Sequence, residues 1–393
     1  MTRKSPPDWI STTVGEACSI RNDLRLPISR EERVTMDGPY PYYGPTGQLD
    51  AIADFRIDGT FALIGEDGDH FLDVEKKPQT ILVSGKFNVN NHAHVIESTD
   101  LCGAEWFYNY FRHRSIKPFL TRQGAGRYKL NKAALQALPI ALPPPQEQAA
   151  LNALFREWAT AIHKTEQLIA AKERHYSDEL SRLISRGQQT HDHVGSFSEP
   201  VSARSRGSNR RTVALSEICT VWKGQQLNKD AMVEDGAFYA LNGGTKPSGR
   251  TTEWNCEADT ITVSEGGNSC GFVSYNRERF WCGGHCYALK TLANDVDAHY
   301  LFHYLKGKQA RVMALRVGSG LPNIQKSDIE AFPVVLPELA TQIAIARYLN
   351  ALRQEIDLLG QSVSALKAQK RGLMQKLLTG QWRLPVHEEA VTA

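Results

Sequence analysis

Two long stretches of the chain carry apolar side chains at alternating spacings of three and four residues. The later series is Leu349, Leu352, Ile356, Leu359, Val363, Leu366, Lys370, Leu373 and Leu377. The earlier one is Phe155, Trp158, Ile162, Thr165, Ile169, Lys172, Tyr176, Glu179 and Leu183, with Leu168 and Leu180 widening the apolar stripe. Such spacing is the heptad seam of a coiled coil. The pattern therefore predicts two long helices that pair through their seams.

The ends of both predicted helices carry the expected signals. Proline suits only the first turn of a helix, and each helix follows a proline-rich start, Leu142-Pro-Pro-Pro145 or Leu336-Pro337. Each helix ends near a glycine, Gly187 or Gly380. About 38 residues at about 1.5 Å each make a rod of about 57 Å, longer than a single globule needs. Lys172 and Glu179 indicate that the seam is not fully dry.

The chain also repeats itself at an offset of about 194 residues. The segment from Gly124 to Pro143 aligns without a gap with Gly318 to Pro337. The other matching pairs are Ala104–Phe111 with Ala298–Leu305, Phe87–His92 with Phe280–His285, Gly65–Gly68 with Ser264–Gly267, and Pro45–Gly47 with Pro247–Gly249. Because the order is preserved, the sequence indicates a tandem duplication.

Each repeat predicts a domain of short β-branched and aromatic runs separated by Gly, Asn and Asp turns, followed by one long helix. The predicted fold is α+β (mixed), with two tandem α/β domains separated by an antiparallel pair of coiled-coil helices and related by a pseudo-twofold axis. The predicted boundaries are 1–142 and 212–336 for the domains, 143–187 and 337–382 for the helices, 188–211 for a linker and 383–393 for a tail. Arg204, Arg206, Arg210 and Arg211 oppose only Asp192 and Glu199 in the linker, which raises phosphate contact as an alternative, but a merely soluble linker is favoured.

Composition sets wide limits on function. Forty-six Lys and Arg residues oppose 43 Asp and Glu residues, so the net charge of +3 allows a nucleic-acid partner without demanding one. An odd number of cysteines, seven, and no apolar N-terminal leader favour a cytoplasmic protein. The apolar runs are too short for a membrane span.

Motifs for catalysis are missing. The chain has no phosphate-binding loop of the Gly-x-x-x-x-Gly-Lys-Ser/Thr type and no Asn/Asp-Pro-Pro-aromatic methyltransferase motif. Glu75-Lys-Lys77, with Asp67 or Asp69 upstream, imitates a nuclease site. Its middle residue should be apolar and is Lys76, which favours a charged surface turn. We expect no catalytic residues in this chain.

A zinc site is the alternative for Cys282-Gly-Gly-His-Cys286, with Cys256 and Cys270 nearby. The repeat aligns His285 with His92, but it aligns Cys282 and Cys286 with Val89 and Ala93. The recurring feature is therefore the histidine. We predict no metal, and a structural histidine hydrogen-bonded beneath the loops.

Two related domains on a rigid spacer suit a ligand with two halves at a fixed separation. Duplex DNA is such a ligand, because half-sites one helical turn apart lie about 34 Å from each other. Polar and basic residues of Gly-rich loops can reach phosphates and base edges. The candidate DNA contacts are Tyr43, Thr46, Arg122 and Arg127 in the first repeat and Lys246, Ser248, Arg250, Asn268 and Arg316 in the second.

The ordered combination of these features resembles the specificity subunits of type I restriction-modification systems, over residues from about 12 to 382. The matching turns are Tyr42-Tyr-Gly-Pro-Thr-Gly47 and Asn242-Gly-Gly-Thr-Lys-Pro-Ser-Gly249. Asn91-His-Ala-His94, Gly284-His-Cys-Tyr287, the Gly-x-Gly segments and the proline-rich helix starts followed by Gln148 or Gln342 also match. The two α/β domains would then be target-recognition domains.

The resemblance implies a non-catalytic subunit that binds one asymmetric bipartite site in double-stranded DNA. Two adenine-N6 methyltransferase subunits would dock on the helices, and translocating restriction subunits would join them. S-adenosylmethionine, ATP and Mg²⁺ would belong to those partners. The alternatives are a helical scaffold that holds proteins without nucleic acid and, less favoured, a self-sufficient modification enzyme.

Overall fold

The computed structural model of the protein describes residues 6–74, 77–123, 127–185, 210–318, 320 and 322–384. The chain divides into a first unit, residues 1–164 with 363–393, and a second unit, residues 165–362. Each unit therefore contains one α/β domain and part of both long helices. The predicted linker and tail lie outside the described residues except at their ends, as do Arg204, Arg206 and the helix end at Gly187.

The first unit is a mixed α/β structure. Its elements are β1 (Ile10–Thr13), α1 (Val14–Ala17), β2 (Ser19–Ile20), α2 (Arg30–Val34), β3 (Asp37–Tyr43), β4 (Gln48–Ile52), β5 (Ile57–Gly65), β6 (Thr80–Val89), β7 (Ala93–Glu97), α3 (Ala104–Phe111), β8 (Thr121–Gln123), β9 (Arg127–Lys129), α4 (Lys132–Gln136), β10 (Pro139–Leu142) and the long helix α5 (Pro145–Ser185). Its largest sheet has six strands in the order β2-β7-β5-β6-β3-β4. β3 pairs in parallel with β6, and the other pairings are antiparallel.

The elements of the second unit follow a similar order, although among its described residues no α-helix or strand corresponds to α2, β8 or β9. Its elements are β11 (Arg211–Ala214), α6 (Leu215–Ile218), β12 (Thr220–Lys223), β13 (Phe238–Leu241), β14 (Gly249–Thr251), β15 (Thr260–Ser264), β16 (Val273–Asn276), β17 (Phe280–Cys282), β18 (Cys286–Lys290), α7 (Ala298–Gly307), α8 (Gln309–Ala314), α9 (Lys326–Glu330), β19 (Pro333–Leu336) and the long helix α10 (Leu339–Leu377). Its sheets run β12-β18-β15-β16 and β14-β13-β17.

The tandem duplication predicted from the sequence is confirmed by this strand order. The second unit has β16 and β17 where the first unit has the single strand β6, and β17 pairs in parallel with β13 as β6 does with β3. In both units the first strand pairs antiparallel with the last one before the long helix. The predicted mixed α/β class and the two long helices are confirmed as well.

The helix segments of the second unit pack against each other in antiparallel order. Lys172 Nζ lies 2.8 Å from a carboxylate oxygen of Glu355. Four residues further along α5, the Tyr176 ring lies 5.3 Å from the guanidinium carbon of Arg353. The partner number falls as the α5 number rises, which defines an antiparallel pair. The seam lysine is thus neutralised by an ion pair at the margin of the apolar stripe.

The helix segments of the first unit share one buried cluster. Leu151 and Phe155 of α5 belong to the same core as Met374, Leu377 and Leu378 at the end of the other long helix. Gly380 adopts a φ of +68°, a backbone conformation that glycine allows, and follows the helix as predicted.

Every predicted seam position from Phe155 to Leu183 and from Leu349 to Leu377 is buried or half-buried. The residues predicted to mediate helix pairing are among them: Phe155, Trp158, Ile162, Ile169, Leu349, Leu352, Ile356, Leu359 and Val363. The prediction that Leu168 widens the stripe is wrong, because this side chain is 44% exposed. It lies one residue before Ile169, about 100° around the helix from the seam.

Two buried glutamines fasten the long helices to their domains. The Gln148 amide donates hydrogen bonds to the carbonyl oxygens of Leu101 (2.8 Å) and Pro143 (3.0 Å). Gln342 makes the equivalent pair of bonds in the second unit. A buried amide that bonds to carbonyl groups of both the domain and the proline-rich segment fixes the angle at which the helix leaves.

None of the helices in the described part of the chain has the length and apolar character that crossing a bilayer requires.

Candidate nucleic-acid interface

In the second unit, three loops meet where strands β13 and β15 end, at one edge of the two sheets. They are residues 242–248, 264–269 and the pair of segments 316–318 and 322–324. The Ser269 hydroxyl donates to the carbonyl oxygen of Gly243 at 2.5 Å, and the Gly267 amide donates to that of Pro322 at 3.0 Å. Gly267 has a φ of +74°, which this tight turn requires. The loops are therefore held together by one side-chain hydroxyl and by a backbone hydrogen bond.

Four of the predicted DNA contacts of this unit are exposed on these loops. They are Lys246, Ser248, Asn268 and Arg316. Arg250 is also exposed, but its guanidinium donates hydrogen bonds to the carbonyl oxygens of Gly236 (2.5 Å) and Ala237 (3.0 Å). This arginine holds its own hairpin in shape, so the structure gives it a local partner that the sequence did not indicate.

The first unit gathers equivalent loops at the same edge of its sheet. They are residues 43–48, 65–68, 90–92 and 127–130. The Asn90 amide donates to the carbonyl oxygen of Tyr43 at 2.9 Å, and the Gly68 amide donates to that of Tyr128 at 3.1 Å. The second of these bonds corresponds to the one between Gly267 and Pro322, so the scaffold of the loops is duplicated along with the fold.

The predicted contacts of the first unit differ in how accessible they are. Thr46 is exposed at the tip of its turn. Tyr43 is half-buried against Phe87, with ring centroids 5.9 Å apart. Arg122 is exposed and lies over the Tyr128 ring at 5.2 Å. The side chain of Arg127 lies outside the described part of the structure.

A groove of about 390 Å³ beside these loops was not predicted. Its lining residues are Pro27, Ile28, Ser29, Arg33, Leu49, Asn90, Asn91 and His92. Arg33 reaches it from α2, where its guanidinium lies 3.3 Å from Asp50 and 4.9 Å from the centre of the Tyr42 ring. The charged run around Arg33 has no partner in the repeat alignment, so the duplication gave no signal for it.

The prediction that the aligned pair His92 and His285 supplies the structural histidine is wrong. His92 and His285 have side chains that are 50% and 62% exposed, because both lie on the turn before a strand and not within it. The buried residue of each pair comes two positions later, at His94 and Tyr287. Both of these side chains donate to the carbonyl oxygen of an equivalent residue, Leu130 or Ile324.

His94 is held as a neutral imidazole. Its Nδ1 accepts hydrogen bonds from Arg25 (2.7 Å) and Asn22 (2.9 Å), so its proton is on Nε2, which donates to Leu130. Burial lowers the pKa of His94, and the bond to the Leu130 carbonyl opposes that shift only in part. His94 is thus held in one orientation beneath the loops by hydrogen bonds to both ring nitrogens.

The described residues contain no group of three or more side chains placed to hold a metal ion. All seven cysteines are buried free thiols. His285 does not join Cys282 and Cys286, because its Nδ1 is turned towards Glu265, 4.0 Å away. Of the nuclease-like motif, Glu75 and Lys76 lie outside the described residues, and Asp67 accepts a hydrogen bond from His92 at 2.8 Å.

Comparison with known proteins gives a consistent assignment. The family model described as the type I restriction modification DNA specificity domain matches residues 6–167 and 208–368. A protein of Mycoplasma pneumoniae named as a type I specificity subunit is 29% identical over 174 residues, which are 44% of this chain and 46% of that protein. One of Haemophilus influenzae, named as a type I restriction enzyme specificity subunit, is 36% identical over 129 residues, 33% of this chain and 32% of that protein.

The matched part therefore spans less than half the length of these two relatives. Among solved structures, the S subunit of a type I restriction-modification system from M. genitalium has a TM-score of 0.65 at 17% identity and covers 96% of this chain and 98% of its own. A chain from a study of complex assembly and conformational transition in the type I system has a TM-score of 0.52 at 15% identity, covering 97% and 100%. Their folds are similar to this one.

The protein has two tandem α/β domains. Each domain is followed by a long seam-forming helix, and each carries a loop cluster. These features define a class of duplicated α/β proteins with two equivalent loop clusters. The family model covers most of the chain within that class. This chain belongs to the family of type I restriction-modification specificity subunits.

Proposed function

We propose that this chain is the DNA sequence-specificity subunit of a type I restriction-modification complex, and that it binds one asymmetric bipartite duplex site. The observation that carries the proposal is the pair of loop clusters, held by equivalent backbone bonds at the same sheet edge of two duplicated units. A scaffold that recurs while its exposed side chains differ suits two reading modules of different sequence preference.

The chemistry of the loops fits duplex DNA. Lys246 and Arg316 offer charge to phosphates, and Asn268 offers an amide that can donate to and accept from base edges. In the first unit, Thr46, Asn91 and His92 occupy the corresponding region, where His92 Nδ1 is fixed by Asp67. Because the two sets of side chains differ, each unit would read a different half of the site.

The same proposal assigns catalysis to other subunits. Two adenine methyltransferase subunits would dock on the helices, restriction and translocation subunits would join them, and S-adenosylmethionine, ATP and Mg²⁺ would act in those partners. The helices of the second unit offer apolar surface outside the seam for such docking. Leu168, Ile343, Tyr348 and Leu358 are between 39% and 55% exposed there. We place the complex in the cytoplasm.

The decisive experiment is to sequence methylated adenines in DNA from cells that make this chain with its methyltransferase subunit, and from cells that make the methyltransferase subunit alone. We expect a two-part motif with a fixed gap that is methylated only when the chain is present. Unchanged methylation, together with a complex that does not retain duplex DNA at low salt, would favour the protein-only scaffold. Methyl transfer by the purified chain alone would favour a modification enzyme.

The salt dependence of binding tests the loops directly. Replacing Lys246 and Arg316 together with alanine should weaken binding of the complex to duplex DNA by about 10-fold at low salt. It should also reduce the slope of log affinity against log salt by about 2, because each phosphate contact contributes about 0.9 to it. Filter binding over a range of salt concentrations measures both effects.

The matched control replaces Arg277 and Arg279 with alanine. These two cations lie on the turn that follows β16, at the other end of the sheet from the loops. We expect the control to keep the wild-type slope. Equal losses in the two double variants would mean that net charge, and not the loop edge, accounts for the effect.

A further inference from the structure

We infer that Glu66 and Glu265 are positioning residues for DNA recognition, one in each unit, and that each controls discrimination only at the half-site which its own unit reads. The inference rests on the proposed function. Neither carboxylate would touch DNA; each would act through the loops that it holds together. Both residues follow the strand that leads into the loop edge, β5 in the first unit and β15 in the second.

Glu66 connects three segments of the first unit. Its backbone amide donates to the carbonyl oxygen of His92 at 2.8 Å, and its own carbonyl oxygen accepts from the Leu130 amide at 2.7 Å. Its carboxylate lies 2.9 Å from Arg25 and 3.4 Å from Lys129, and its side chain is 17% exposed. The groove segment at 90–92 and the hairpin segment at 127–130 therefore meet at this one residue.

Arg25 extends this connection to the groove. The same guanidinium that pairs with Glu66 donates to His94 Nδ1 at 2.7 Å and to the carbonyl oxygen of Asn91 at 3.3 Å. The orientation of Arg25 thus fixes one wall of the groove. Neutralising Glu66 would remove the charge that holds this guanidinium in a site where it is only 15% exposed.

Glu265 has the same backbone role in the second unit. Its amide donates to the carbonyl oxygen of His285 at 2.9 Å, and its carbonyl oxygen accepts from the Ile324 amide at 2.9 Å. Its side chain is only 5% exposed, and its Oε1 lies 2.7 Å from Lys223 Nζ and 3.1 Å from the Tyr287 hydroxyl. Desolvating a carboxylate as buried as this is costly, and the ion pair with Lys223 and the bond from Tyr287 offset that cost.

The two sites differ in one respect that concerns the loops. The first unit has Asp67 beside its carboxylate, and this residue fixes His92. The second unit has Gly266 at the aligned position, so His285 faces the Glu265 carboxylate itself at 4.0 Å. The Oε2 atom of Glu265 is buried and has no hydrogen-bond partner. At 4.0 Å this atom is too far to fix the His285 ring by a hydrogen bond, so Glu265 holds His285 through its backbone amide, next to the loop of Lys246.

A carboxylate occupies the aligned position of both units, half-buried as Glu66 and buried as Glu265, although its charged neighbours differ: Arg25 and Lys129 in one unit, Lys223 in the other. Stability alone does not require it, since apolar side chains of similar volume are often as good in such places. Recognition requires it more, because contacts to base edges depend on side chains held to within about 0.5 Å. We therefore assign to the two carboxylates the role of positioning the loop side chains that contact base edges.

The test uses the complex of the full chain with its methyltransferase subunit and three duplexes. One carries the motif found by methylation sequencing, and the other two carry one altered base pair in either half. Glu66→Gln should reduce the ratio of Kd values, altered over intact, by about 10-fold for one half and leave the other ratio within about 2-fold. Glu265→Gln should do the same at the opposite half.

Matched controls are Glu97→Gln, which breaks the ion pair with Arg21 at the other end of β7, and Glu257→Gln, which breaks the exposed pair with Arg279. Both should keep the wild-type ratios. Tm values of all variants show whether the fold survives. If Glu265→Gln or Glu66→Gln fails to fold, Tyr287→Phe and Lys129→Gln each remove one partner of the carboxylate and should give the same one-sided loss.

Equal losses at both halves would indicate a merely structural role and overturn the inference, as would unchanged ratios in well-folded variants. Failure of the proposed function is a different result. In that case the wild-type complex itself would not distinguish the intact duplex from the altered ones.

Discussion

Replacing Leu349 with aspartate is expected to lower the free energy of unfolding of the second unit by about 4 kcal/mol or more. Leu349 is fully buried and belongs to the same core cluster as Leu180 and Ile184 of α5. The substitution removes a buried apolar side chain and places a carboxylate within this apolar cluster. Urea denaturation, followed by far-ultraviolet circular dichroism, measures the change.

The control on the same helix is Leu358→Asp. This leucine is 55% exposed, so its replacement should change the free energy of unfolding by no more than about 0.5 kcal/mol. A comparable loss in the two variants would contradict the assignment of Leu349 to the seam. The comparison separates the cost of burying a charge from the cost of placing an aspartate in a helix, because both variants share the second term.

The helices were predictable because a long seam is a strong signal. Leucine and isoleucine recur over many turns from Leu349 to Leu377, and the burial of these positions follows the predicted register. Lys172 looked like a defect in the seam, but a long flexible side chain can lie along an apolar surface and place its charge at the edge. Glu355 meets it there at 2.8 Å.

The exposed histidines were not predictable for a reason that lies in the sheet. Strand β7 runs between β2 and β5, and its residues Ala93, His94, Val95 and Ile96 are all buried. A strand covered on both faces shows no alternation of polar and apolar positions. The sequence therefore could not indicate that His94 enters the core while His92 remains on the turn.

The positions of the loops in the sequence were predictable, but the side chains that each loop leaves available for DNA were not. Glycines and prolines marked their positions, and the repeat aligned them correctly. Which side chains are available depends on local hydrogen bonds that have no sequence pattern. Arg250 and Arg316 are both exposed arginines of the second repeat, yet only Arg250 donates to the carbonyl oxygens of its own hairpin.

Acidification should destabilise the second unit through His303. This residue is fully buried in α7, and its burial lowers its pKa to about 4, with smaller contributions from His299 and Arg353, while the bond to Asn350 and the charge of Asp297 act in the opposite direction. The unfolded chain binds the proton near the ordinary value of about 6.5. Stability is therefore complete above that value and falls as the pH drops towards 4.

The predicted loss is about 2 kcal/mol between about pH 7.5 and pH 5, since each unit of pKa difference corresponds to about 1.4 kcal/mol. Protonation would also disturb one hydrogen bond. Nε2 donates to Asn350 Oδ1 at 2.9 Å and keeps its proton, whereas Nδ1 accepts from the Tyr176 hydroxyl at 3.0 Å and would become a donor. Only one of these two ring nitrogens carries a proton in the neutral form. Calorimetric unfolding at the two pH values measures the difference.

The first unit suggests the variant that isolates this effect. At the aligned position it has Asn109, whose amide donates to Asn152 Oδ1 at 2.9 Å and does not titrate. His303→Asn should therefore remove most of the predicted loss between the two pH values, whatever it costs at neutral pH. His175→Asn, on the exposed face of α5, should leave the loss intact. If His303→Asn keeps the wild-type pH dependence, other groups must account for the acid sensitivity of this unit.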